Sequence, residues 1–144
     1  MTLTLPSRRA RAAKFAVLAA ALGAALSLSA CSGGEPEALA FDGAHVSAET
    51  FAEAVATEGV VVIDVRTPAE FAEGHLPGAV NIDVSGATFD AEVAELDPEG
   101  EYAVYCRSGN RSQVAIEEMA ADGVEQTVGL TGGIGAWAGE VVTD

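Results

Sequence analysis

Tyr102-Ala103-Val104-Tyr105-Cys106-Arg107-Ser108-Gly109-Asn110-Arg111-Ser112 is the stretch on which the reading of this chain turns. Its first four residues are a continuous apolar run, the pattern of a strand buried on both faces. A helical pattern follows over residues 112–121, with Val114, Ala115, Met119 and Ala120 as candidate core positions. Cys106 therefore falls in a loop between a buried strand and a helix. In α/β sheets ligands bind in loops at the carboxyl ends of strands. A helix N-terminus adds unpaired N–H groups and positive potential, and Gly109 lets the loop curl without a side chain in the way. A thiolate held in such a loop is stabilised and becomes a ready nucleophile. Cys106 is the candidate nucleophile, and Arg107, Ser108, Gly109, Asn110 and Arg111 are the candidate substrate-binding loop.

Working outward, the same alternation of strand and helix recurs. Ser47 caps a short helix running to Thr57, with Phe51, Ala54 and Val55 on one face. Val60-Val61-Val62-Ile63 is a β-branched strand. Thr67-Pro68-Ala69-Glu70 starts a helix, with Thr67 as cap, Pro68 at the first position and Glu70 completing a capping box. Gly74 ends that helix, Leu76-Pro77-Gly78 turns the chain, and Ala79-Val80-Asn81-Ile82 is a second strand. Residues 89–96 form a helix, and Pro98-Glu99-Gly100 breaks the chain before the strand at Tyr102. Gly123 stops the helix after the cysteine loop. Gln126-Thr127-Val128 is a last short strand, and Gly132-Gly133 turns into a terminal segment with Trp137 as a core residue. The expected fold is α/β, a central parallel sheet flanked by helices, occupying residues 46–144.

The residues before this domain have a different character. Arg8, Arg9, Arg11 and Lys14 precede an uncharged run over residues 15–30, which is shorter than the roughly 20 residues a spanning helix needs. A basic start, a short apolar core and small residues at its end describe a cleavable export signal. Arg8-Arg9 is followed by Ala10-Arg11, where a twin-arginine signal carries hydrophobic residues. Leu28-Ser29-Ala30-Cys31 resembles a bacterial lipobox. The resemblance implies cleavage before Cys31, lipidation of Cys31, and a protein anchored by its lipid to the outer, extracytoplasmic face of the cell membrane. Residues 31–45, rich in Gly, Glu, Pro and Ala, are expected to be a tether.

The 144-residue chain has a formal net charge of −15. Loss of residues 1–30 would remove four of its seven basic residues and none of its 22 acidic ones. Such a surface repels nucleic acid and anionic headgroups, so neither is an expected partner. Lipidation would also leave Cys106 as the one free thiol, the leftover cysteine of an exported chain. The remaining cations are Arg66, Arg107 and Arg111. Two flank the cysteine, and Arg66 follows the first strand at the same sheet edge. Together they indicate an anion site through charge-assisted hydrogen bonds.

A thiolate in an anion-binding loop suits phosphoryl transfer through phosphocysteine or sulfur transfer through a persulfide. Cysteine phosphatases resemble one another in placing five residues between Cys and Arg. Here four separate Cys106 from Arg111, Tyr105 stands where those enzymes usually carry His, and no general acid is evident. The tighter loop favours the smaller sulfane sulfur.

Asp64-Val65-Arg66-Thr67-Pro68-Ala69-Glu70-Phe71, followed by Gly74-His75-Leu76-Pro77-Gly78-Ala79, resembles the upstream signature of rhodanese domains. The loop from Tyr105 to Ser112 resembles their active loop, and Leu130-Thr131-Gly132-Gly133 with Trp137 is similar to their closing motif. The resemblance covers residues 60–139. It implies the rhodanese fold and a sulfurtransferase in which Cys106 carries the persulfide and the donor is a small sulfur-containing anion such as thiosulfate, or a persulfide. Arg107 and Arg111 are expected to bind the donor's sulfonate, and loop N–H groups to hold the persulfide. Arg66 is expected to pair with Glu70 and brace the loop, and Asp64 to be structural through bonds to loop N–H groups. His75 reads as structural and His45, before the domain pattern, as without a role. No metal-ligand spacing and no nucleotide-type glycine pattern is present, so no cofactor is expected. The alternative is a binding or sulfur-carrier module of the same fold that performs no turnover.

Overall fold

The computed structural model describes residues 39–143. The expected signal, Cys31 and most of the expected tether lie outside the described residues. The expected α/β architecture is present as five parallel strands, β1 (His45–Val46), β2 (Val61–Asp64), β3 (Val80–Asn81), β4 (Tyr102–Tyr105) and β5 (Thr127–Leu130). Their order in the sheet is β1-β5-β4-β2-β3. The helices are α1 (Ala48–Ala56), α2 (Pro68–Glu73), α3 (Phe89–Val93) and α4 (Asn110–Ala121), with a 3-10 turn at Gly133–Gly135.

Alternation along β4 divides the core into two layers. Tyr102, Val104 and Cys106 face α3 and α4, where Phe89, Val93, Ala115, Ile116 and Met119 pack. Ala103 and Tyr105 face the other way, towards Phe51 and Ala54 of α1, with Leu76 and Leu130. Burying one such large side chain contributes about 1.5–3 kcal/mol, so both faces of this small sheet must be covered.

Local chemistry sets the helix ends. Ser47 accepts from the Thr50 N–H at the start of α1. The full capping box of α2 is present between Thr67 and Glu70. Trp137 packs edge-on against Phe51 with ring centroids 6.2 Å apart.

Several details differ from the sequence expectations. Within α4 the inward residues are Ser112, Ala115, Ile116 and Met119, whereas Val114 is 49% exposed and Ala120 also faces solvent. The inward set has the i, i+3, i+4, i+7 spacing of one helix face; the expected set strayed off that face. The packed chain also starts before Val46. Leu39 and Phe41 lie against the α1-side core, and His45 pairs with Gly129 in β1, which shortens the expected tether at its domain end. Finally, α3 stops at Val93 rather than reaching residue 96.

Strand order places the functional edge. After β2 the chain returns as β3 on one side; after β4 it returns as β5 on the other. The loops after β2 and β4 therefore diverge, leaving a crevice at the carboxyl ends of the two strands, where open α/β sheets bind ligands.

Candidate active site

Asp64 and Tyr105 are register partners at the ends of β2 and β4, so Arg66 and Cys106 follow side by side at this edge. A cleft of about 570 Å³ opens here, lined by Arg66, Glu73, Gly74, Arg107, Ser108, Ile134, Gly135 and Val141. Cys106 itself is buried, beneath the loop whose Arg107 and Ser108 form part of the cleft wall.

The loop is folded around the sulfur. The Gly109 N–H donates to Cys106 Sγ at 3.1 Å. Gly109 has φ 98°, a left-handed conformation that turns the chain into α4. Burial is the largest single influence on the thiol and pushes its pKa up. The N–H groups of Ser112 and Ser108, the Ser112 hydroxyl and the Gly109 N–H together outweigh it and hold the thiol below its ordinary value. From behind, the Ile134 N–H donates to the Cys106 carbonyl at 2.8 Å. Gly133 sits directly against the Cys106 and Arg107 carbonyls, where a Cβ would overlap both. Gly133, expected only as part of a turn, thus backs the loop.

The three cations have different surroundings. Arg66 is buried and forms an ion pair with Asp64, Nη2 to Oδ2 at 2.6 Å, while the same Nη2 donates to the Gly74 carbonyl at 2.7 Å. This corrects the expected Arg66–Glu70 pair. Arg66 lies two residues beyond the strand residue Asp64 and ahead of α2, so strand alternation rather than helical i, i+4 spacing governs its reach. Asp64 also accepts from the Arg66 N–H at 2.9 Å. The Tyr105 phenol bonds Asp64 and accepts from the Leu76 N–H at 3.0 Å, and burial pushes that phenol's pKa up.

Arg111 is bidentate on Glu70, at 2.7 and 2.8 Å. Its guanidinium is the main reason the Glu70 carboxyl falls to about 2. The residue expected to meet the donor's oxygens is therefore also a clamp between α4 and α2. Arg107 is the open cation, with its side chain 71% exposed and 3.9 Å from Glu70. Ser108 is exposed on the cleft wall, and Asn110 is exposed at the first position of α4.

His75 is buried, stacks on Phe71 at 3.6 Å, and its Nδ1 donates to the Phe71 carbonyl at 3.0 Å. Its backbone pairs with Val142, binding the C-terminal segment to α2. Among the described residues no group of three or more His, Cys, Asp or Glu is placed to hold a metal ion.

Four site residues escaped the sequence reading: Glu70 as clamp, Gly133 as backing, Ser112 beside the sulfur, and His45 at 2.8 Å from Ser112 Oγ. The capping box had already assigned Glu70 a role. His45 had a signal in Gly129, a glycine within a strand, which often marks a close approach by another group.

A buried cysteine at a strand end, ringed by N–H donors and flanked by an exposed arginine, is equipped for thiolate chemistry on a small anion. Residues 47–140 match the rhodanese-like domain family, and this chain belongs to it. A sulfurtransferase of Allochromatium vinosum is 34% identical over 95 residues, covering 65% of this chain and 87% of that protein. The thiosulfate sulfurtransferase GlpE of Pseudomonas entomophila is 34% identical over 84 residues, covering 58% and 75% respectively. The crystal structure of a rhodanese-related protein from Thermoplasma volcanium is 30% identical with a TM-score of 0.61, covering 69% of this chain and 98% of that one.

Proposed function

We infer that this protein is a sulfurtransferase that moves sulfane sulfur from a donor such as thiosulfate to a thiophilic acceptor through a persulfide on Cys106. The observation that carries this is the Cys106 sulfur within a ring of N–H donors that lowers its thiol pKa despite burial. The family membership and the sulfurtransferases among its relatives support the same reading.

The Cys106 thiolate attacks the outer sulfur of thiosulfate. A new S–S bond forms, the old one breaks, and its electron pair leaves with sulfite. The persulfide anion then occupies the amide-lined loop, where the Ser108, Gly109 and Ser112 N–H groups offset its charge. An acceptor such as cyanide attacks the terminal sulfur, takes it as thiocyanate, and returns the Cys106 thiolate. No proton need be transferred in either step, so no general base is required. Exposed Arg107 meets the sulfonate at the cleft mouth, with Arg111 contributing charge from its place on Glu70.

Thiosulfate-to-cyanide turnover tests this. Wild type is active, and Cys106→Ser folds normally and transfers nothing; turnover by Cys106→Ser contradicts the reading. Arg107→Ala raises the KM for thiosulfate with little change in melting temperature.

The chain's work is further proposed to take place at the outer face of the cell membrane, with Cys31 carrying the lipid. The lipobox-like Leu28-Ser29-Ala30-Cys31 supports this. Cys31→Ser is expected to be released or left unprocessed. If it stays processed and membrane-bound, the anchor lies elsewhere.

A further inference from the structure

His45 stands outside the motif residues, yet its ring is built into the back of the cysteine loop. Its Nε2 lies 2.8 Å from Ser112 Oγ. That hydroxyl donates to the Gly109 carbonyl at 3.0 Å, and it is among the groups that hold the Cys106 thiol below its ordinary pKa. The ring occupies the space a side chain at Gly129 would take, since a Cβ there would overlap three of its atoms. Gly129 is His45's register partner in β5 and is not among the glycines with positive φ. Backbone conformation therefore does not require glycine at 129; the imidazole does.

The hydrogen-bond inventory favours one direction for the chain of bonds. A serine hydroxyl has one proton to give and two lone pairs to receive. Of Ser112's three partners, the Gly109 carbonyl and the Cys106 thiolate accept only. His45 Nε2 is the one that can donate to the oxygen. If Nε2 accepted instead, three acceptors would compete for a single proton. With Nε2–H donating, the hydroxyl proton is left for the sulfur and the carbonyl.

We propose that His45 is a positioning residue for the Cys106 nucleophile, acting through Ser112 by holding that hydroxyl as a donor towards the sulfur. Burial pushes the His45 pKa down, more than the Gly109 carbonyl raises it, so at neutral pH the ring serves as a neutral donor. The groups it faces are Gly129 on β5, and Gly109 and Ser112 at the start of α4, with Cys106 beyond the hydroxyl. The same donor would stabilise the persulfide anion, so the proposal deepens the sulfurtransferase reading and rests on it for its catalytic meaning.

The test is the pH profile of Cys106 alkylation by iodoacetamide, which needs no sulfur donor and no turnover. His45→Phe keeps a ring in the Gly129 space without the Nε2 donor. It should raise the apparent thiol pKa by about half a unit to one unit, the weight of one hydrogen bond, and slow sulfur transfer several-fold. His45→Gln, which restores an N–H, should recover part of the shift. In a Ser112→Ala background, His45→Phe should add nothing. An unchanged profile in folded His45→Phe overturns the proposal, as does an equal shift with Ser112 absent. Should His45→Phe fail to fold, the wild-type His45 ring titration followed by NMR decides: it should move on Ser112→Ala, and no movement overturns the coupling. If the shift appears in a protein that transfers no sulfur, the sulfurtransferase reading fails and the positioning role stands.

Discussion

Asp64 shows how one buried side chain can organise a site without touching the reacting sulfur. Its carboxylate accepts from the Arg66 backbone and guanidinium and bonds the Tyr105 phenol. The fully buried acid and the buried base are acceptable only as a pair, because an unpartnered charge in the interior is strongly unfavourable. Asp64→Ala would leave Arg66 uncompensated. We expect it to destabilise the domain by roughly 3–5 kcal/mol, read as a lowered urea midpoint with unchanged slope. A loss of turnover with intact stability would instead give Asp64 a role in the chemistry. The sequence reading made Asp64 structural and placed Arg66 at the right edge of the sheet. It missed their partnership because it applied helical spacing to a residue that precedes the helix.

Helices α2 and α4 meet through the Glu70–Arg111 pair, and that contact is expected to contribute to acid stability. Arg111 and the Thr67 cap hold the Glu70 carboxyl at about 2 against an ordinary value of 4.5. A carboxyl whose folded-state pKa is depressed contributes stability that is fully present above its unfolded value. The contribution is lost as pH falls through the folded value. Urea unfolding should therefore show stability declining between about pH 4.5 and 2, with a shallower decline in Arg111→Ala. At neutral pH that variant should lose about 1–2 kcal/mol, somewhat above an ordinary surface pair because the contact is bidentate and partly buried. An unchanged acid limb would show that the clamp carries no weight. Among the elements, the long or well-punctuated ones were legible. The apolar run of β4 was read with its observed bounds, and Thr67-Pro68-Ala69-Glu70 announced α2 through its capping chemistry. β1 was not legible, since two residues on a sheet edge show no periodicity. With β1 unseen, His45 had no element to place it beside Ser112.

The chain as a whole is acidic, while its site relies on short-range donors. The chain's formal charge is −15, yet charges more than a Debye length of roughly 8 Å away are largely screened. The N–H groups around Cys106 act in direct contact, so the loop can stabilise an anion inside an acidic protein. The parallel sheet makes this possible by ending β2 and β4 in register, with α4 starting directly behind the sulfur. The alternation of strands and helices was enough to expect that arrangement from sequence. The division of labour among the arginines was not legible in the sequence, since it depends on which acid each one reaches in the fold. If Cys106 accepts a single sulfane sulfur, the intact mass of the purified protein rises by one sulfur atom after thiosulfate treatment. The gain is reversed by cyanide and absent in Cys106→Ser. An unchanged wild-type mass, or the same gain in Cys106→Ser, would contradict transfer of sulfur to Cys106.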